Sequence, residues 1–64
     1  MLYTVLWKFG SGASESQSFD DLDVAQVEAA SRALAYAQAY GRCETTIHDQ
    51  DGQQHLIRVD DNDA

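Results

Sequence analysis

Residues 22–41 read LDVAQVEAASRALAYAQAYG and form the clearest pattern in the sequence. Asp23 has a side chain suited to a helix N-cap, and Gln26 completes a capping box three residues later. Leu22 is placed to pack on Val27, as in a hydrophobic staple. The closing glycine offers a left-handed C-cap. The segment therefore predicts one long helix that begins after Asp23 and ends at this glycine.

The apolar residues of this helix predict which side faces the core. At about 100° per residue, four of them share one stripe that is expected to lie on a sheet: Val27, Ala30, Leu34 and Ala37. The opposite side carries Ala25, Glu28, Arg32, Tyr36 and Ala39. Because Tyr36 falls there beside Arg32 and small alanines, both side chains are candidate anchors for another protein.

The segment before the helix predicts a strand and a second, weaker one. Leu2 to Phe9 is rich in aromatic and β-branched residues that alternate with a period of two. The four residues Gly10 to Ala13 supply a turn, and Ser14 to Phe19 has the polar composition of an edge strand. Whether this second segment joins the sheet is open.

The segment after the helix predicts a β-hairpin whose register has two solutions. Arg42 to Asp49 and Gln53 to Asp60 flank the dipeptide Asp51-Gly52, which is typical of hairpin turns. A two-residue loop pairs Ile47 with Leu56 and leaves Ile57 and Val59 opposite Thr46 and Glu44. A three-residue loop, with Gly52 as the left-handed residue, places Ile57 and Val59 on the face of Ile47. It also sets Arg42 opposite Asp60 and Glu44 opposite Arg58. We predict the second register, since it keeps the apolar residues together.

These elements predict an α+β fold of ββαββ order, or βαββ if Ser14 to Phe19 does not pair. One helix packs on one face of a three- to four-stranded, largely antiparallel sheet. Residues 1–60 form a single domain, and residues 61–64 are a polar acidic tail. A chain of 64 residues buries only about 60% of the surface that it exposes when unfolded. A deep substrate pocket, and hence a conventional enzyme, is therefore not expected.

Composition restricts the partners and the compartment. The chain has 11 acidic and 4 basic residues and a net charge of −7, which disfavours direct binding to nucleic acid because phosphate contacts need Lys and Arg. The apolar run from Leu2 to Trp7 is far shorter than the roughly 20 residues of a membrane-spanning helix. With one cysteine and no signal segment, we expect a cytoplasmic protein without a membrane role.

The predicted topology gathers acidic residues at one end, because the helix begins where the final hairpin turns. The expected partner-binding residues are Asp20, Asp21, Asp23, Glu28, Asp49 and Asp51. The opposite end receives Lys8, Arg42 and Arg58, which Glu44 and Asp60 partly neutralise. Helix caps and turns explain some of these acids, whereas the excess favours a second use. Carboxylates at strand and helix spacings can occupy Lys and Arg sites shaped for a phosphate backbone.

In its short length, acidity, lack of proline and lack of catalytic signatures, the chain resembles the small phage-encoded inhibitors called anti-CRISPR proteins, and DNA-mimic antagonists generally. The resemblance implies a non-enzymatic inhibitor whose acidic surface blocks the DNA-binding groove of a CRISPR surveillance complex in the host bacterial cytoplasm. The alternative is a small dimeric structural or regulatory module. It would use the Tyr36 side of the helix, or an apolar strip of Leu2, Leu6 and Leu56 on the sheet face away from the helix.

Other chemistry is not expected from the remaining candidates. His48, Asp49, Asp51 and His55 surround the hairpin turn, but the predicted register points the two histidines to opposite faces, so we predict no metal site. Cys43 is predicted to point inward as a small buried hydrophobe, with no histidine placed to activate it. We therefore predict neither catalytic residues nor a cofactor.

Overall fold

A computed structural model describes residues 1–61 and confirms the α+β, ββαββ prediction. The elements are β1 (Tyr3–Phe9), β2 (Ala13–Phe19), α1 (Leu22–Tyr40), β3 (Arg42–Asp49) and β4 (Gln54–Asp61). The four strands form one antiparallel sheet of order β2-β1-β3-β4, so the polar segment β2 does pair, as an edge strand. β4 extends to Asp61, one residue into the predicted tail. The rest of that tail lies outside the described residues.

The first turn of α1 corrects the predicted cap. Asp21, not Asp23, is the N-cap: its backbone is extended, and its Oδ1 accepts hydrogen bonds from the backbone N–H groups of Asp23 (2.8 Å) and Val24 (3.3 Å). The helix thus begins at Leu22, which packs against the core. At the other end, Gly41 has the predicted left-handed conformation, and its N–H donates to the carbonyl of Ala37.

The side of α1 that packs on the sheet also differs from the prediction. The fully or nearly buried helix residues are Ala25, Ala29, Ala33 and Ala37. Val27 and Leu34, which were predicted to face the sheet, are 68% and 52% exposed. The strand face beneath carries large residues, Val5, Trp7 and Phe9 among them. Small helix residues let the backbone of α1 approach these side chains closely, so volume rather than hydrophobicity selects the packed side.

The β3–β4 hairpin contains both of the registers that the sequence allowed. At the turn, Asp49 N donates to Gln53 O and Gly52 has a φ of 83°, which confirms the predicted three-residue loop. A β-bulge between Ile47 and His48 then shifts the pairing by one residue, with His55 as the extra residue of β4. Beyond the bulge the prediction is wrong.

The shifted register changes the face of every residue beyond the bulge. Ile47 pairs with Leu56, and the predicted pairs Arg42–Asp60 and Glu44–Arg58 do not form: Arg42 lies opposite Asp61 and Glu44 opposite Val59. Ile57 and Val59, predicted to face the core, are 66% and 49% exposed on the other side of the sheet. A one-residue slip moves a strand's side chains to the opposite face, so the sheet surface away from α1 gains two apolar residues.

Candidate functional site

We define the acidic end of the molecule as Asp20, Asp21, Asp23, Asp49 and Asp51. The sheet pairs Phe19 with Tyr3 and Tyr3 with Asp49. The connection from β2 to α1 and the turn from β3 to β4 therefore leave the sheet at the same end, as the sequence predicted. β1 lies between β2 and β3, so the strand ends next to the two acidic groups, Phe19 and Asp49, are on the order of 10 Å apart.

The exposed part of the acidic end consists of Asp20, Asp21, Asp23 and Asp51. Within residues 1–61, none of these four carboxylates forms an ion pair with a Lys, Arg or His side chain. Asp21 uses one oxygen to cap α1 and stays exposed. The charge of the four carboxylates is directed at solvent.

Asp49 belongs to the turn rather than to the surface that the sequence predicted. Its side chain is only 5% exposed. Oδ1 accepts from the backbone N–H groups of Asp51 and Gln53, each at 2.9 Å, and Oδ2 lies 2.8 Å from Nε2 of His55. The hydrogen bond from His55, helped by those from the turn, holds the pKa of the Asp49 carboxyl below its usual value. This residue shapes the turn and is not available to a partner.

The negative charge of Glu28 is also compensated, by Arg32. Its carboxylate lies 3.3 Å from Nε of Arg32, one helical turn further along. Both side chains are only partly exposed, and the guanidinium of Arg32 lies 4.9 Å from the centre of the Trp7 ring. Glu28 and Arg32 are thus paired with each other, and their side chains remain 41% and 37% exposed.

The opposite end of the molecule has paired charges. Arg58 makes two hydrogen bonds of 2.8 Å to Asp60, which raise the pKa of the guanidinium. Arg42 lies 3.3 Å from Glu44. The acids Glu44 and Asp60 do neutralise these bases, as expected, but each pair lies along one strand rather than across two. The acidic end therefore carries unpaired negative charge, whereas the arginines of the opposite end are paired with acids.

Tyr36 is not the outward anchor that the sequence predicted. Its ring stacks on Phe9, with centroids 4.2 Å apart, and its hydroxyl donates to the carboxylate of Glu15 on β2. This hydrogen bond and partial burial raise the pKa of the Tyr36 hydroxyl. Tyr36 thus connects the helix to the edge strand and belongs to the margin of the core.

The predicted apolar strip is replaced by a different set. Leu56 lies opposite Ile47 and packs against the core, on the side of α1. Leu6 does lie on the sheet face away from the helix, where its apolar neighbours are Ile57 and Val59. These two residues were missed because the bulge at His55 has no distinct signal in the sequence.

The histidines and the cysteine are placed as predicted. His55 contacts Asp49 and stacks edge-on against Tyr3 on the helix side of the sheet, whereas His48 lines a groove on the other side. Cys43 is fully buried, and burial raises the pKa of its thiol. Residues 1–61 contain no group of three His, Cys, Asp or Glu side chains arranged to hold a metal ion.

Comparison with protein-family models, with curated proteins and with solved structures gives no match. The described residues form one helix, α1, and it is not apolar enough to cross a membrane. Two features of the described residues are candidates for binding: the unpaired carboxylates at one end, and the exposed apolar residues on the sheet face away from the helix.

Proposed function

We propose that this chain is a non-enzymatic inhibitor whose acidic end competes with nucleic acid for a basic groove of a protein partner. The observation that carries the proposal is the contrast between the two ends. Four exposed carboxylates from separate stretches of chain lie unpaired at one end of residues 1–61, whereas the arginines of the other end are paired. Carboxylates held in this way suit Lys and Arg side chains that otherwise contact phosphates.

Spacing supports the same proposal. The strand ends from which α1 and the β3–β4 turn depart are on the order of 10 Å apart, which is comparable to the about 12 Å width of the DNA major groove. Rigid elements hold both acidic groups, because one caps a helix and the other lies in a hydrogen-bonded turn. A preorganised set of charges loses little entropy when it binds.

The resemblance to anti-CRISPR proteins makes a CRISPR surveillance complex the first partner to test. The purified complex is mixed with the chain, and binding of labelled target DNA is measured at increasing ionic strength. We expect the chain to reduce DNA binding, and the inhibition to weaken steeply with salt, because contacts between exposed charges are screened.

A matched pair of variants locates the effect. One variant carries Asn at the four exposed acids, since Asn preserves helix capping and turn geometry while removing charge: Asp20→Asn, Asp21→Asn, Asp23→Asn and Asp51→Asn. The control raises the net charge equally on the exposed side of α1 and carries Ser31→Lys, Ala35→Lys, Gln38→Lys and Ala39→Lys. Inhibition should be lost in the first variant and retained in the control.

If the surveillance complex is not the partner, capture from a bacterial lysate at low salt identifies basic proteins that bind the chain. Addition of DNA should then release the captured protein. A protein that is retained in high salt and is not displaced by DNA would show that the acidic end is not a nucleic-acid competitor.

A further inference from the structure

The sheet surface away from α1, which we call the open face, carries exposed apolar side chains. Ile57 and Val59 are 66% and 49% exposed. Leu6 and Thr46 line a shallow groove of about 280 Å³ together with Ile57 and Val59. Leu6 of β1 and Ile57 and Val59 of β4 are the apolar residues of this face; β3 places Glu44, Thr46 and His48 between them, and β2 adds its serines at the margin.

The charge of the open face differs from that of the rest of the molecule. Its bases are Lys8 and Arg42, and its acids are Glu44 and Asp61. The open face is thus formally neutral, although the chain has a net charge of −7. Two copies of a strongly acidic protein repel each other over most orientations. They avoid this repulsion when their open faces meet.

The size of the open face also fits a self-association surface. Four strands about 4.8 Å apart and seven residues long at about 3.3 Å each cover about 19 by 23 Å in plan. Two such faces cover about 870 Å² in plan. The relief of the side chains adds to the accessible surface that is buried, which brings the total near the minimum of about 1,000 Å² for a specific interface.

We propose that the open face binds the open face of a second copy of this chain, with the strands of the two copies running in reversed directions. This goes beyond the nucleic-acid competition proposed above and uses a different surface. Reversal places the acidic end of each copy beside the end of the other that holds Lys8 and the paired Arg42, whereas the same-direction arrangement brings two acidic ends together. Repulsion between the acidic ends therefore selects the reversed pair.

The strand register defines the contacts of this dimer. Leu6, Thr46 and Ile57 lie at one level across the sheet, and the two-fold axis passes there, so that each meets its own copy. Glu44 then lies at the level of the partner's His48, and Arg42 at the level of the partner's turn, which holds Asp51. The contacts combine a centre of Leu6, Thr46 and Ile57 with one pair of opposite charges, Arg42 and the partner's Asp51, at the rim.

A matched pair of exposed apolar residues tests the surface. Ile57→Glu places a charge on the open face, and Val27→Glu places one on the outer side of α1, where the side chain is equally exposed at 68%. Sedimentation equilibrium of the intact chain should give twice the chain mass for the wild type and for Val27→Glu, and the monomer mass for Ile57→Glu. Circular dichroism checks that both variants are folded.

Two results would overturn the proposal. One is a wild-type chain that remains monomeric at millimolar concentration, and the other is a dimer that survives Ile57→Glu. Since this variant leaves every residue of the acidic end unchanged, its effect on association is measured separately from inhibition of DNA binding. Loss of the dimer with retained inhibition, or the reverse, shows which of the two proposals fails.

Orientation is tested with a nitroxide label on Gln50→Cys, because Cys43 is buried and not accessible to the label. Gln50 lies four residues from the level of Thr46, so in the reversed dimer the two labels are about 25 Å apart. In the same-direction dimer they approach the about 10 Å spacing of packed sheets. Pulsed electron paramagnetic resonance should give the longer distance, and the shorter one would exclude the reversed arrangement.

Discussion

Alternate residues of the same strands point to opposite faces of the sheet. One face is buried beneath α1, and the other is exposed. Val5 and Trp7 are fully buried beneath α1, whereas Leu6, between them in sequence, faces the groove on the open side. On β4, Leu56 packs against the core and Ile57 is 66% exposed. The residues on the buried face and those on the open face do not differ in hydrophobicity. What separates them is which face the helix covers, and the helix covers the face whose large side chains fit a stripe of alanines.

The largest expected effect comes from removing the biggest side chain of the covered face. Trp7 is fully buried, and its indole Nε1 donates to the carbonyl of Ala29 at 3.1 Å. Trp7→Ala should cost about 3–5 kcal/mol, which is comparable to the whole stability of a domain of this size. We expect the variant to lack a cooperative thermal transition by circular dichroism. Leu6→Ala, one residue away on the open face, should retain one, and equal losses in both would break the comparison.

A second test concerns the fit between α1 and the covered face. Ala33 is fully buried, so Ala33→Leu inserts volume where there is no room and should destabilise the fold by about 1–3 kcal/mol. Leu34→Ala, at the next position, removes a side chain that is 52% exposed and should change stability by less than about 0.5 kcal/mol. Urea unfolding of both variants measures the difference. A stabilised Ala33→Leu would show that the alanine stripe is not tightly packed.

This contrast also explains what could be predicted from the sequence. The period-two pattern of β1 and the glycine after α1 identify their elements, because both signals are local. The packed side of α1 was predicted wrongly because Val27 and Leu34 are more hydrophobic than the alanines, while packing depends on the size of the facing strand residues. The packed side of α1 therefore depends on the helix and on the facing strands together, and neither segment specifies it alone.

The candidate site could also be predicted only in part from the sequence. Topology brings Asp20 and Asp51 to one end, and this follows from element order alone. The withdrawal of Asp49 into the turn depends on its hydrogen bonds to the turn N–H groups and to His55, whereas the exposure of Ile57 and Val59 depends on the bulge at His55. The sequence of this region allows both registers, and the structure uses each of them on one side of the bulge.

The third prediction uses the acid at the margin of the covered face. Asp49 has a lowered pKa because His55 and the turn N–H groups bond to its ionised form. A carboxyl with a folded-state pKa below its unfolded value stabilises the fold above the unfolded pKa of about 3.9, and this contribution is lost as pH falls through the folded pKa. Asp49→Asn should therefore lower the Tm at neutral pH, and the gap to the wild type should narrow below about pH 4. A gap that is constant with pH would contradict this.

The smallest expected effect is on the open face and depends on concentration. Ile57→Thr keeps a β-branched residue at an exposed position, so in dilute solution its stability should lie within about 0.5 kcal/mol of the wild type. Binding of a second copy to the folded state stabilises that state by mass action. The wild-type Tm should then rise with protein concentration, while that of Ile57→Thr rises less. If the Tm values of the wild type and of Ile57→Thr differ by a small and constant amount at all protein concentrations, the open face, unlike the covered face, has no packing partner.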